Sequence, residues 1–548
     1  MKAGNPTPQG SGWYAATMVS APERARLTID FDVDVCVVGG GLAGLTAARE
    51  VARRGWSVAV LEARRVAAGA SGRNCGFVLP GFAENLDRII ERVGLQQAKA
   101  LWALSERGVD YVRKTIRETK MPGVKPVDGW LSVTKFREDA TVESSVTLLR
   151  EEFGAQVEAW SPDQVREVLK SPFYHNAVHF PRAFHIHPLN YTLGLAAAAE
   201  EAGARIFEHT PALSIDPAGI RKRIVTPSAR VRAAHVVLAG NTGLGALMPR
   251  LAASLLPITT YVATTAPLGE RLAEAVTYPG AVSDTQLADN HYRVVDGDRL
   301  MWAGGVTMWA GNPRRFARRL AADIRRTFPQ LGDVKIDHVW SGTLGRAVHS
   351  MPQVGEISRG VWLAGGFGGH GFNTTALAGE LVARGIVESD QTWRLFSPYD
   401  LVWAGGMLGR AAVQAIYWSR RIRDRFDAQL TQRRLAKPVA QTQQETPLPL
   451  APVQEVTVTA EAPVAPAAPA GNVVQPVQPE MMAAEPAQPP PAKKKARRRK
   501  PKKRHKPGAA NATKPQSAAR GKTEESAGGE SVASEGSPGR VLSRRRLA

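Results

Sequence analysis

Three glycines and one carboxylate carry the most legible chemistry in this chain. Gly39, Gly41 and Gly44 fill G-x-G-x-x-G within VVGGGLAGL, and Glu62 follows in LEARR. The first glycine of such a pattern permits a tight strand-to-helix turn. The second lets the backbone approach a pyrophosphate, and the third lets the helix pack on the strand. Leu42 and Ala43 sit inside the turn and join the candidate binding set. A carboxylate at the position of Glu62 accepts both hydroxyls of an unphosphorylated ribose and repels a 2′-phosphate, which argues against NADP. Ala63 and Arg64 follow it in the same set.

These groups act only if elements deliver them. Asp34–Val38 is a β-branched run suited to a buried parallel strand. Leu45–Arg54 is predicted helical, its N-terminal N–H groups and partial positive charge aimed at the phosphate, and Gly55 ends it. Trp56–Leu61 is the second strand. The turn that follows reads Gly69-Ala70-Ser71-Gly72-Arg73-Asn74. A hydroxyl, a cation and an amide among small residues suit an extended diphosphate and a flavin edge. His235–Gly240 is a late strand ending in small residues at Ala239. Gly365–Thr375 places a second glycine loop before a helix, with Gly368, Gly369, His370, Gly371, Phe372 and Asn373 as its candidate contacts. Such a loop can approach the pyrimidine side of a flavin, and its helix dipole would stabilise a reduced, anionic ring. NAD enzymes need no such distal loop, so the cofactor read from these pieces is FAD.

The same pieces, with Ser11-Gly12-Trp13-Tyr14-Ala15-Ala16-Thr17, His187-Pro188, Ala233–Asn241, Leu256-Pro257-Ile258, Tyr292-Arg293, Phe328-Pro329 and Trp340-Ser341-Gly342, resemble the FAD-dependent amine oxidoreductases of the D-amino-acid oxidase/glycine oxidase/sarcosine oxidase superfamily. The resemblance is nearest to gamma-glutamylputrescine oxidase-like proteins and spans about residues 11–425. It implies a Rossmann-like FAD-binding domain interleaved with an antiparallel-sheet substrate domain, an α/β plus α+β architecture. It also implies hydride transfer from the carbon beside an amine nitrogen to flavin N5, then hydrolysis of the imine. The substrate class is a small-molecule amine, either a gamma-glutamylated polyamine or a D- or secondary amino acid. Relatives usually read GRNGG where this chain has Asn74-Cys75-Gly76. Cys75 is therefore either a flavin-linked or redox thiol or a small residue standing in for glycine.

Arg293 matches a position where relatives hold a carboxylate, and a guanidinium fork suits that task. Tyr292 and His370 complete the candidate catalytic set, although strand alternation turns Tyr292 away from Arg293 unless the strand bulges. Arg346 is a second anion-binding candidate. His185 and His187 alternate and mimic a metal pair, but no third ligand is visible and no metal is expected. A loose alignment sets Trp302 where sarcosine oxidases carry an oxygen-activating lysine. That leaves oxygen or a quinone or other electron carrier as the acceptor, with modest oxidase activity expected.

The domain reading is an arm at 1–30, an FAD-binding domain at 31–85 with 190–255 and 345–390, and a substrate domain at 86–189 with 256–344. A helical region at 391–436 and a disordered tail at 437–548 complete it. The net charge is +21, and from Lys437 onward 19 Lys and Arg face 9 Asp and Glu. The tail is rich in Pro and Ala, then strongly basic at Lys493–Lys506, and cannot bury a core. That run suits non-specific nucleic acid or an anionic membrane. Two alternative functions follow, a flavin oxidase acting on modified tRNA or a binding module built on the tail. Leu401–Trp418 reads as a helix packed on its own domain or lying on a membrane surface. Two cysteines, Cys36 and Cys75, cannot build a disulfide framework. With no secretory signal or spanning segment in view, the expected location is cytoplasmic, with the inner membrane surface as a peripheral variant.

Overall fold

The computed structural model describes residues 12–135, 139–245, 247–284 and 290–435, with the side chains of the last helix described through Arg423. The chain runs α1 (Trp13–Ala16), β1 (Phe31–Val38), α2 (Leu42–Arg53), β2 (Val58–Leu61), β3 (Phe77–Val78), α3 (Leu86–Val93), α4 (Leu95–Thr119) and β4 (Val127–Val133). It continues through α5 (Asp139–Glu151), β5 (Glu158–Trp160), α6 (Pro162–Val168), β6 (Ala177–His185), α7 (Pro188–Glu201), β7 (Arg205–Phe207), β8 (Ser214–Asp216), β9 (Lys222–Val225) and β10 (Arg230–Leu238). Next come α8 (Pro249–Ala253), β11 (Leu255–Thr265), β12 (Ala281–Asp284), β13 (His291–Val295), β14 (Arg299–Thr307), α9 (Arg314–Thr327) and β15 (Ile336–Ala347). The last are β16 (Gln353–Ser358), β17 (Val361–Gly365), α10 (Gly371–Val387) and α11 (Gly406–Leu435). All of this lies in one compact unit, Met1–Glu445; a second unit, Thr446–Ala548, falls outside the described residues, and with it the Lys493–Lys506 run.

The first sheet is ordered β16-β17-β10-β1-β2-β7, with β9 also on β10 and β8 on β9. β1 pairs in parallel with β2 and β10, and β10 with β17. Its central strands are apolar on both sides because both sides are covered. Val35 and Val37 join the core beneath α2, α7 and α10, while Cys36 and Val38 join a second core on the opposite face. The second sheet is ordered β15-β11-β14-β13-β12-β4-β6-β3 and is antiparallel except where β12 meets β4. One of its faces packs on α9 through Tyr292, Trp302, Leu320, Ile324 and Phe328. Asp296-Gly297-Asp298 turns β13 into β14, with Asp296 and Gly297 at positive φ, 52° and 81°.

Local breaks divide several helical runs. Residues 84–120 form two helices, because Gly94 at φ 79° breaks the run. Ser144–Val168 is mostly helical, as α5 and α6, but Glu158–Trp160 interrupts it as an edge strand on β6, and Ser161 then opens α6 with a reciprocal capping box to Gln164. The last helix starts at Gly406, after Gly405 at φ 76°. The chain visits the two sheets alternately, β1–β2, β3–β6, β7–β10, β11–β15 and β16–β17. Phe77–Val78 lies in the second sheet, and α4 packs against α10.

Candidate active site

The turn from β1 into α2 admits only glycine where the pattern demands it. A Cβ on Gly44 would lie 2.1 Å from the Gly39 carbonyl oxygen, and one on Gly39 would lie 2.7 Å from that of Ala239. A Cβ on Gly41 would approach Ser71 Oγ to 2.9 Å. The helix has no N-cap side chain of its own; Ser71 Oγ accepts the Leu42 N–H from outside at 3.1 Å. Glu62 clasps the same turn, accepting the Gly40 N–H at 2.8 Å and the Arg64 N–H at 2.9 Å.

Beside this turn is a cavity of about 1210 Å³. The structure brings Gly39, Gly41, Glu62, Ala63, Arg64, Ser71, Arg73 and Ala239 to its wall. Asn241, Thr242, Ser341, Thr343 and Arg314 also line it, although none of these was in the candidate binding set, because each arrives from an element far along the chain. Burial, and then the neighbouring Arg64 charge, hold the Arg73 pKa below its usual range, so an anion here would relieve the repulsion. A long cavity with a glycine turn, a ribose-type carboxylate and two cations fits FAD.

The remaining expected contacts are placed differently. Leu42, Ala43 and Gly44 are buried within α2, and Gly72 packs against Ala67. Asn74 is a strap: its amide donates to the Ala70 and Ser71 carbonyls, and its Oδ1 accepts the Gly76 N–H. The distal loop is not on the wall of this cavity. Gly368 N–H donates to the Gly345 carbonyl, Asn373 donates to that of Gly81, and Phe372 packs on Tyr191. Gly369 and Gly371 meet nothing where a Cβ would be, so the loop keeps open space. His370 is the N-cap of α10 and stands beside Gly81; burial, then the His291 charge, lower its pKa to about 4. Arg346 donates to Ser350 Oγ next to the same loop.

Arg293 is the centre of a second cluster. It is 4% exposed and is without a carboxylate partner among the described residues. Its Nη1 reaches His185 Nδ1 at 2.5 Å, its Nη2 donates to the Tyr14 hydroxyl at 3.2 Å, and its buried Nε has no partner among the described residues. His185 Nε2 faces the Pro279 carbonyl at 3.0 Å, so Nε2 carries the proton and Nδ1 accepts from the guanidinium. Burial and the Arg293 charge push the His185 pKa down to about 3. Burial raises the Tyr14 hydroxyl to about 12, and it donates to Met301 Sδ at 3.0 Å. Half-buried Cys75 lies close by; burial lifts its thiol to about 12 although Arg293 opposes that.

Tyr292 does not join this cluster. Alternation turns it to the other face of β13, where it stacks on Trp302 at 4.5 Å within the core under α9. Trp302 is itself fully buried there and donates to Asn290, so it is no counterpart of an oxygen-facing lysine; Met301, one residue earlier, faces Tyr14. His187 is not on a strand with His185. It caps α7, accepting the Asn190 N–H on Nδ1, while Nε2 meets Thr17 Oγ1. Among the described residues, no three metal-type side chains converge. Tyr14 and His185 are the functional neighbours that sequence reasoning missed. The only signals were the aromatic pair in the arm and the His-x-His pattern.

Residues 34–384 match the family model described as FAD dependent oxidoreductase. The gamma-glutamylputrescine oxidoreductase of Escherichia coli K12 is 32% identical over 431 residues, covering 77% of this chain and 99% of that protein. The crystal structures of glycine oxidase from Geobacillus kaustophilus and L-proline dehydrogenase from P. horikoshii each align with a TM-score of 0.57 at 20% identity. Each covers 68% of this chain and 98% of the other, a likeness of fold.

Proposed function

The chain belongs to the FAD dependent oxidoreductase family, and from that membership we propose that it oxidises an amine that also carries a carboxylate, held by Arg293. It is an FAD-dependent enzyme acting on CH–NH or CH–NH₂ groups. The first candidate substrate is a gamma-glutamylated polyamine, since the E. coli relative is named for gamma-glutamylputrescine; a D- or secondary amino acid is the second. The observation that carries the reading is the Arg293 guanidinium, buried with no carboxylate beside it and with Nε unpartnered among the described residues. An interior cation without a counter-charge is costly, and a bidentate carboxylate removes that cost.

FAD, when bound, supplies the two-electron acceptor that takes the hydride from the carbon beside the amine nitrogen. In this reading Gly39, Gly41, Ser71 and Arg73 hold its diphosphate and Glu62 its ribose. Ala63, Arg64 and Ala239 shape the wall. Arg293 orients the substrate. Tyr14 and His185 fix the Arg293 guanidinium, and neither delivers a proton at neutral pH, because burial holds Tyr14 protonated and His185 neutral. Burial also lowers the pKa of a bound amine, so the substrate reacts unprotonated without a dedicated base. The acceptor that reoxidises the enzyme is oxygen or a quinone-type carrier.

Anaerobic mixing of the holoenzyme with gamma-glutamylputrescine, putrescine, sarcosine, glycine and D-amino acids tests this through bleaching of the flavin band. Carboxylate-bearing amines should bleach it and putrescine should not. Arg293→Gln should raise the half-saturating concentration about 10- to 100-fold, the worth of a charge-assisted hydrogen bond of roughly 1.5–3 kcal/mol. Equal bleaching by putrescine, or an unchanged Arg293→Gln variant, would overturn the reading.

A further inference from the structure

α11 turns its apolar stripe outward. Gln414 is buried and accepts the Met308 N–H at 2.9 Å, and Arg421 reaches Asp323 of α9 at 3.4 Å, so these residues mark the inner face. At 100° per residue, Leu408, Ala412, Ala415, Ile416 and Ile422 fall on the opposite face. Leu408 is 81% exposed, Ile416 49% and Ile422 54%. Trp403 at 69% and Trp418 at 62% flank the stripe. Trp309, exposed as well, stands next to the Met308 that α11 holds. An amphipathic helix normally buries its apolar face against its own domain; here the polar contacts face the domain and the apolar side faces out.

The charges around the stripe select its occupant. Arg420 and Arg423 border it, and Arg315 and Arg318 are exposed near the start of α9, which α11 meets through Arg421 and Asp323. None of these four pairs with a carboxylate among the described residues. A second copy of the chain would bring like charges together across the face, which is unfavourable. Exposed tryptophans beside aliphatic residues, rimmed by arginine, match the interface of an anionic bilayer: aromatic rings seat at the headgroup level, and guanidinium groups meet lipid phosphates. No described helix is long and apolar enough to cross a membrane.

We propose that the outward face of α11, with Trp403 and Trp418, docks the enzyme on an anionic lipid surface, lying in its plane. The proposal is independent of which amine is oxidised. The basic run Lys493–Lys506 supplies a separate electrostatic attraction, so the test must separate the two.

Full-length holoenzyme is floated with vesicles of phosphatidylcholine alone or mixed with phosphatidylglycerol. Binding is expected only to the mixed vesicles. The double variant Leu408→Asp/Ile416→Asp keeps the basic run and should retain its flavin spectrum, since both positions are exposed, yet lose at least about tenfold in vesicle affinity. Trp418→Ala should lose a smaller part, and Trp418 fluorescence should shift to the blue on binding. Absence of binding to mixed vesicles would overturn the proposal. So would undiminished binding by the double variant, which would assign attraction to the basic run alone. A concentration-dependent dimer that the double variant abolishes, without vesicle binding, would assign the face to a second copy instead.

Discussion

A guanidinium in a protein interior is destabilising unless its donors are used and its charge is met. Arg293 commits one donor to His185 and one to Tyr14, and its Nε meets no partner among the described residues, so three elements, α1, β6 and β13, aim one side chain. The histidines in this neighbourhood make the fold sensitive to acid. Both His185 and His187 are almost fully buried, and burial with the Arg293 charge lowers each pKa to about 3, against 6.5 in an open chain. Between those values the unfolded chain takes up protons that the folded one refuses, so stability is full above about 6.5 and declines as the pH falls toward 3. The decline should be roughly 1 kcal/mol per pH unit for each residue. Thermal unfolding at pH 5 and pH 7.5 should show a lower midpoint at pH 5, and His185→Asn, which retains the acceptor and donor, should narrow the gap. An unchanged gap would refute this origin. Cys75 gives a second prediction at this scale. Its thiol is held protonated, since burial lifts its pKa to about 12, and a thiol is a poor nucleophile. Acid precipitation should therefore release all of the flavin, and Cys75→Ser should leave flavin content unchanged; yellow colour retained in the pellet would contradict this.

The first sheet is held to its helices by close approach. α2 and α10 cross where Gly379 meets α2: a Cβ there would lie 2.6 Å from Thr46 Cβ and 2.8 Å from the Ala43 carbonyl oxygen. α2 is tied sideways to α4 by Tyr111, whose hydroxyl donates to Glu50 at 2.7 Å while Arg54 holds the other Glu50 oxygen at the same distance. Gly379→Ala should cost about 1–3 kcal/mol through overpacking, because backbone and a β-branched side chain cannot yield as a flexible chain end would. Differential scanning of the variant should show the loss, and flavin content should fall with it because the same α2 carries the glycine turn. Full stability would mean that the helices separate more easily than this spacing implies. Elements of this kind were partly legible. β1, α2 and β2 follow from periodicity and turn chemistry within a short window. β5 and the break at Gly94 did not, because an edge strand of three residues and a helix interruption are decided by what they pack against.

At the scale of the molecule, the segment that ends at Glu445 is compact on its own and contains both sheets, the cavity and the Arg293 cluster. A chain cut after Glu445 should bind FAD and turn over the same amine at an unaltered rate, measured by flavin absorbance and steady-state assay; loss of either would give the remaining residues a part in the site. What the sequence determined by itself was the cofactor, because the glycine turn, its carboxylate and the Ser71–Asn74 turn are local patterns whose spacing dictates their geometry. The interleaving of two sheets was legible for the same reason, from strand-like runs in alternating blocks. Only the tertiary structure decided the surroundings of Arg293. Its partners lie 108 and 279 residues away, and no local period encodes such a meeting. It also decided the side on which Tyr292 and Trp302 fall and the direction in which the apolar stripe of α11 points. Amphipathicity says that a helix has two faces, and only its neighbours determine which one is covered.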